Sequence, residues 1–293
     1  MILVTGATGR VGYRVAEYLT EAGARATAMV RVPARVMALP RVAGHIVSTL
    51  GDPPPPDTLQ AFDRVFLMSP AGEAQEEMEV VFVDALVAAG HRPHVVKLAT
   101  DGFQDLDCDV RFMRSHRGVA RHLEATGLPV TYVAACPYME NLLAWTDEIR
   151  ENGLLSAPVG RGRVGFVAAR DVAATAAHAL MSCDGDGPTY VVTGPEALTY
   201  ADVAKRISAV FARQVDHAES TPSRTRSALR AKGVGPWECE GMLEMFDWIR
   251  HGGCNVVTGD VRDVTGENPR PIERWLGKQR GAFLGAPSGA SYF

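Results

Sequence analysis

Three glycines at positions 6, 9 and 12 constrain this chain more than any other feature. Met1 to Thr5 reads as a short buried strand, since Ile2, Leu3 and Val4 are apolar and two of them β-branched. Gly6-Ala7-Thr8-Gly9-Arg10-Val11-Gly12 comes next, and Val11, Val15, Leu19 and Ala22 then recur at helical spacing. A glycine-rich turn therefore joins a strand to a helix. Gly6 allows the tight turn, Gly9 lets the backbone approach a pyrophosphate, and Gly12 lets the helix pack closely on the strand. The helix N-terminus adds free N–H groups and the positive end of its dipole. With a strand before it and a helix after it, the pattern predicts a dinucleotide site.

The chain beyond Gly12 fits that beginning. Strands are expected at Arg25 to Val30, His45 to Thr49, Arg64 to Met68, Val95 to Ala99 and Val130 to Ala135. Helices are expected over Glu73 to Ala89, with Met78, Phe82, Ala85 and Leu86 on one face, and over Ser115 to Ala125. Such alternation implies parallel strands with right-handed crossovers, a doubly wound α/β sheet of Rossmann type with ligands beyond the carboxyl ends of its strands. Pro53 to Pro56 reads as a stiff surface connection. Beyond Pro137 the expectations are a helix over Met139 to Glu151, an alanine-rich helix over Asp171 to Met181 with Asp171 as its N-cap, and a strand over Thr189 to Thr193. Next come an amphipathic helix over Tyr200 to Phe211, capped by Thr199, an apolar helix over Trp237 to Arg250 and a last apolar piece over Ile272 to Leu276. Residues 1–150, joined again by 165–193, form the expected dinucleotide-binding domain. Residues 151–293 are mainly a smaller C-terminal substrate lobe, with a mobile tail over 285–293.

Net charge −4 and pI near 6.1 leave no footprint for nucleic acid or an anionic membrane. No apolar run approaches the roughly 20 residues of a membrane span. The strand begins at Met1 itself, which is read as leaving no signal peptide. Cys108, Cys136, Cys183, Cys239 and Cys254 are odd in number and scattered, which argues for a reducing compartment and against a disulfide framework or structural zinc. The expectation is a cytoplasmic protein, monomer or homodimer, without a metal.

The second strand ends in Arg31, with Arg35 one helical turn on. In an NAD site an acidic residue binds the ribose hydroxyls about 20 residues past the glycines. An arginine there suits a 2′-phosphate instead, because its planar fork makes charge-assisted bonds to phosphate oxygens. NADPH (or NADP+) is therefore expected ahead of NADH.

Taken in order, several short segments resemble the NmrA-like branch of atypical short-chain dehydrogenase/reductases. They are Val4 to Gly12, Met29-Val30-Arg31, Phe66 to Pro70, Val96 to Thr100, Leu123 to Pro129, Pro137 to Asn141, Arg170 to Ala173 and Thr193 to Thr199. The resemblance runs over roughly Met1 to Trp275 and implies a Rossmann domain with a C-terminal substrate lobe. It further implies NADPH-dependent reduction of a ketone or quinone, including aromatic ketones of polyketide pathways, or else an NADP(H)-binding regulator without chemistry. Under it the candidate cofactor residues are Gly6, Thr8, Gly9, Arg10, Val11, Gly12, Arg31, Arg35, Met68, Ser69, Pro70, Pro137 and Tyr138.

One departure stands out. Most short-chain reductases carry Tyr-x-x-x-Lys on the helix after the fifth strand, and those positions fall here near Phe112 and His116. Phenylalanine has no proton to give. Four sources stay open for proton delivery or oxygen binding: His116, with an ordinary pKa near 6.5; Thr100, at the end of the fifth strand; Tyr138, beside the nicotinamide; and a phenol or enol of the substrate itself, the favoured route. Lys97, inside an apolar strand, is expected to reach out at the strand end, since buried lysines are rare unless paired. The helix from Trp237 to Arg250 reads equally as a lid over an aromatic substrate or as core packing.

Overall fold

A computed structural model describes residues 1–182 and 187–285 of the 293-residue chain. Seven strands form one parallel sheet in the order β3-β2-β1-β4-β5-β6-β7. They are β1 (Ile2–Val4), β2 (Ala26–Val30), β3 (Gly44–Val47), β4 (Arg64–Leu67), β5 (His94–Thr100), β6 (Val130–Ala135) and β7 (Thr189–Val192). Central β1 pairs Ile2 with Ala26 on one side and with Arg64 on the other. All three of its residues are buried, as a strand covered on both faces requires. The order reverses between β1 and β4, which opens a crevice beyond their carboxyl ends.

Among the described residues, seven helices of ten or more residues cover the sheet and continue beyond it: α1 (Arg10–Glu21), α2 (Gln75–Ala88), α3 (Arg111–Thr126), α4 (Ala169–Ser182), α5 (Tyr200–Phe211), α6 (Pro222–Ala231) and α7 (Pro236–Arg250). Helices α1 and α4 close one face. Val11, Val15 and Leu19 of α1 share a core with Val172, Ala176 and Leu180 of α4, and the alanines let the two axes come close. Helices α2 and α3 close the other face through Phe82, Leu86, Met113 and Leu123. Each such side chain stabilises the fold by about 1.5–3 kcal/mol relative to exposure. A third core is built by later elements, with Leu142, Ile149, Phe166, Ile207, Phe246 and Trp275 among its members.

Several local expectations are met and others corrected. Thr199 caps α5 in a capping box: its Oγ1 accepts from Asp202 N at 3.0 Å, and its own N–H donates to Asp202 Oδ2 at 3.1 Å. Pro53 to Pro56 leads into a short helix, Pro56–Leu59, with Pro56 at its first position. The single helix expected over Met139 to Glu151 is instead a 3-10 segment, Met139–Trp145, followed by the helix Thr146–Asn152. The break sits at Trp145, whose Nε1–H donates to Ser156 O at 2.6 Å and whose ring lies against Tyr200 and Phe246. Asp171 is not an N-cap: it lies inside the first turn of α4, buried, and its Oδ2 accepts from Arg270 N at 2.7 Å. Burial raises its pKa. Cys108, Cys136, Cys239 and Cys254 are free and buried. Cys183, and the tail expected over 285–293 apart from Gly285, lie outside the described residues. No described helix is long and apolar enough to cross a membrane.

Candidate active site

The glycine turn is shaped as its sequence demands. Gly6 has φ +59°, a left-handed conformation that disfavours side chains, and a Cβ there would meet Met68 Cγ at 2.8 Å. Gly12 shows the close approach most plainly, for a Cβ on it would lie 2.3 Å from Gly6 O. Buried Thr5 ties the turn to the end of β4: its Oγ1 donates to Met68 O at 2.8 Å and accepts from Met68 N at 2.9 Å. Gly9 is the N-cap of α1, so the first-turn N–H groups of Arg10, Val11 and Gly12 have no acceptor within the helix. Thr8 and Arg10 are exposed beside them. Arg31 and Arg35 stand exposed past β2, and among the described residues neither is in an ion pair. A cradle closed to side chains, free helix N–H groups and two uncommitted guanidiniums fit a phosphorylated dinucleotide.

Beyond β4, β5 and β6 lies a cavity of about 390 Å³. It brings together all three proton or oxygen-binding candidates, Thr100, His116 and Tyr138. Pro70 and Pro137 of the candidate cofactor set line it too, as does Phe112. Its far wall comes from later in the chain: Trp145, Tyr200 and, on α7, Glu238, Met242, Met245, Phe246 and Ile249. Helix α7 is thus both wall and core, because Phe246 and Ile249 are buried in the third core. It is fastened at its base. Arg111 donates to Glu244 Oε1 from Nη2 at 2.6 Å and from Nε at 3.1 Å, and its Nη1 reaches Trp237 O at 3.2 Å. Phe112 packs edge-on against Trp237 and sits so near Gly241 that a Cβ there would approach its Cζ to 2.5 Å.

Behind His116 lies a buried polar chain that sequence reasoning missed. Lys97 does not reach out at the strand end; it is 1% exposed, and its Nζ is 2.8 Å from Oε2 of Glu79, which is 0% exposed. Glu79 also accepts from Ser69 Oγ at 2.7 Å. Lys97 Nζ further donates to Leu98 O and lies 3.2 Å from His116 Nδ1, while Gln75 Nε2 is 3.3 Å from the same nitrogen. An ammonium can only donate. Nδ1 is therefore the acceptor, the ring is neutral, and its proton is on Nε2. Burial, reinforced by the Lys97 charge, holds the His116 pKa well below 6.5. The ordinary pKa expected for His116 is thus corrected, and the ring is a hydrogen-bond donor rather than an imidazolium acid. Gln75 and Glu79 were legible in principle: with Phe82 and Leu86 they make an i, i+4, i+7, i+11 stripe, which is the buried face of α2.

Tyr138 is fixed by its neighbours. Val167 N donates to Pro137 O at 3.2 Å, and Met139 N donates to Val167 O at 2.8 Å. Its phenol pKa is pushed up by burial and then by the Glu140 charge, with Arg10 opposing. This phenol stays protonated and is not tuned as an acid.

Comparison with known proteins gives a consistent result. The family model described as "NmrA-like family" matches residues 1–249. A (4-alkanoyl-5-oxo-2,5-dihydrofuran-3-yl)methyl phosphate reductase of Streptomyces griseus is 33% identical over 284 residues, 97% of this chain and 99% of that one. An NAD(P)H azoreductase of Xenophilus azovorans is 30% identical over 288 residues, again 97% and 99%. Among solved structures, an NADPH-dependent quinone oxidoreductase of Escherichia coli complexed with NADPH superposes with TM-score 0.85 at 21% identity, covering 95% of this chain and 99% of that one.

Proposed function

Because the chain belongs to the NmrA-like family, we propose that it is an NAD(P)H-dependent oxidoreductase that reduces a carbonyl of an aromatic ketone or quinone. The observation that carries this reading is the apolar cavity at the carboxyl ends of β4 to β6, where Thr100, His116 and Tyr138 converge with Pro70 of the loop after β4. The names of the relatives point to reduction of furanone, azo and quinone compounds by NAD(P)H or NADPH. Gly6, Gly9 and Gly12 would seat the pyrophosphate, with Thr8, Arg10 and Val11 around it, and Arg31 and Arg35 would receive a 2′-phosphate. Met68, Ser69, Pro70, Pro137 and Tyr138 would border the nicotinamide.

A bound nicotinamide supplies the hydride. The protein's own part is to exclude water and hold the substrate oxygen. Neutral His116 Nε2–H and the Thr100 hydroxyl are donors for an oxygen that gains negative charge as the carbonyl is reduced. Lys97, behind the ring, strengthens that donation without entering the cavity. Tyr138, kept as a phenol, packs and orients. With Phe112 where an acidic phenol is usual and His116 uncharged, the proton comes from a phenol or enol of the substrate itself.

Residues 1–150 with 165–193 form the dinucleotide unit in this reading, and residues 151–293 supply the substrate side, with α7 as a wall. The protein is taken as a cytoplasmic monomer or homodimer. The test is NADPH oxidation by purified protein given quinones, hydroxylated aromatic ketones and polycyclic ketones of the polyketide type. Phe112 in the cavity also favours a second reading, an NADP(H)-sensing regulator. Tight NADP+ binding with no turnover on any compound of the panel supports the sensor and overturns the reductase.

A further inference from the structure

Helix α7 carries three glutamates with unequal duties. Glu244 holds Arg111, and Glu240 holds Arg226 through two hydrogen bonds of 2.7 and 2.8 Å. Glu238 is in no ion pair among the described residues, and it is the one that lines the cavity. It lies in the first turn of α7, and its Oε1 reaches to 3.7 Å from where a Cβ of Gly72 would stand, on the loop after β4. The carboxylate thus lies over the start of α7, with Oε2 only 2.3 Å from where a Cβ of Gly235 would stand, and faces that loop at one side of the cavity.

No lysine or arginine is among the described residues lining this cavity, and His116 is held neutral by Lys97 behind it. The remaining wall is aromatic, aliphatic or uncharged polar. We infer that Glu238 sets the charge class of the substrate: the cavity accepts uncharged or cationic aromatic molecules and rejects anionic ones. This rests on the reading of the cavity as the substrate site. A phosphate, sulfonate or carboxylate entering here meets like charge in a medium less polar than water and finds no guanidinium fork to receive it. An ammonium or delocalised cation meets the carboxylate and a wall that includes the rings of Phe112, Trp145 and Phe246. The Streptomyces relative is named for a phosphate ester, the class of substrate that this inference excludes here.

The test uses three naphthoquinones of similar size: neutral 2-methyl-1,4-naphthoquinone, a trimethylammonium derivative and a sulfonate. Their affinities for the purified full chain are measured by calorimetry at low salt, with NADP+ present, and NADPH oxidation is followed in parallel. The sulfonate is expected to bind about tenfold or more weakly than the neutral quinone, and the cation at least as well. Glu238→Gln should bring the sulfonate within about twofold of the neutral compound, Glu238→Asp should keep the order, and Glu238→Lys should reverse it. Equal affinities, or an order untouched by Glu238→Gln, overturn the inference while leaving the proposed function in place. The expected order of binding without NADPH oxidation upholds the charge selection and overturns the reductase. Failure of all three to bind overturns both.

Discussion

Lys97 Nζ and His116 Nδ1 lie 3.2 Å apart behind the cavity wall, and that contact fixes which edge of the imidazole carries its proton. One group comes from the middle of a strand and the other from the helix after it, so the sheet itself sets the tautomer of a ring that lines the cavity.

His116 should not titrate near pH 6.5. Its folded-state pKa is lowered by burial and then by Lys97, while in the unfolded chain it is ordinary. Between the two values the unfolded state binds more protons, so stability rises with pH across that window. The contribution is complete above about pH 6.5 and fades as pH falls below it. NMR of the ring protons checks this directly. A native midpoint near 6.5 would refute the neutral tautomer, and Lys97→Met should move the midpoint upward.

Removing one member of the buried pair should be costly. Lys97→Met leaves the Glu79 carboxylate alone in the interior, and Glu79→Leu leaves the ammonium; each is expected to cost about 3–5 kcal/mol. The double replacement should cost clearly less than the sum, because neither charge is then stranded. Urea unfolding of the four proteins measures it, and strict additivity would contradict a direct pair.

Side chains on the glycine turn should act on both the fold and the cofactor. Gly12→Ala places a Cβ 2.3 Å from Gly6 O, and Gly6→Ala adds left-handed strain to a clash with Met68. Each is expected to lower stability by about 1–3 kcal/mol. Each should also weaken dinucleotide binding measurably when titrated with NADPH. Unchanged affinity in a folded Gly12→Ala variant would remove the turn from the site.

Arg31 and Arg35 should decide between cofactors. Arg31→Ala is expected to weaken NADPH by about 10- to 100-fold, the worth of a charged hydrogen bond of roughly 1.5–3 kcal/mol, and to leave NADH almost unaffected. Arg35→Ala should act in the same direction. Raised salt should shrink the preference, since both side chains are exposed. Side-by-side titrations of NADPH, NADP+, NADH and NAD+ decide it.

The first half of the fold was readable because its signals are local. Apolar runs such as Val130 to Ala135 and the glycine spacing each report on a few adjacent residues, and β6 occupies those six positions. Thr199 announced its helix in the same way. The break at Trp145 was not readable, because its cause is a hydrogen bond to Ser156 and rings from residues 200 and 246. Lys97 misled for a related reason: its partner Glu79 sits on another element, and burial of a charge depends on where its counter-charge stands. The cavity candidates were found, since Thr100 and Tyr138 sit at strand ends or just past them and His116 on the helix beside them, whereas Glu238 and Trp145 arrive only through the packing of later elements.

Gly241 touching Phe112 has a consequence for how such a protein can change. The candidate cofactor positions lie in the first three dozen residues and at 68–70 and 137–138, while the ceiling of the chamber is α7, held by Phe112 against Trp237, by Arg111 on Glu244 and by its own buried Phe246 and Ile249. A larger side chain at 241 would lift that ceiling without disturbing the nucleotide cradle. Under the proposed function, substrate range can therefore change at α7 while Gly6, Gly9 and Gly12 keep the cofactor seat.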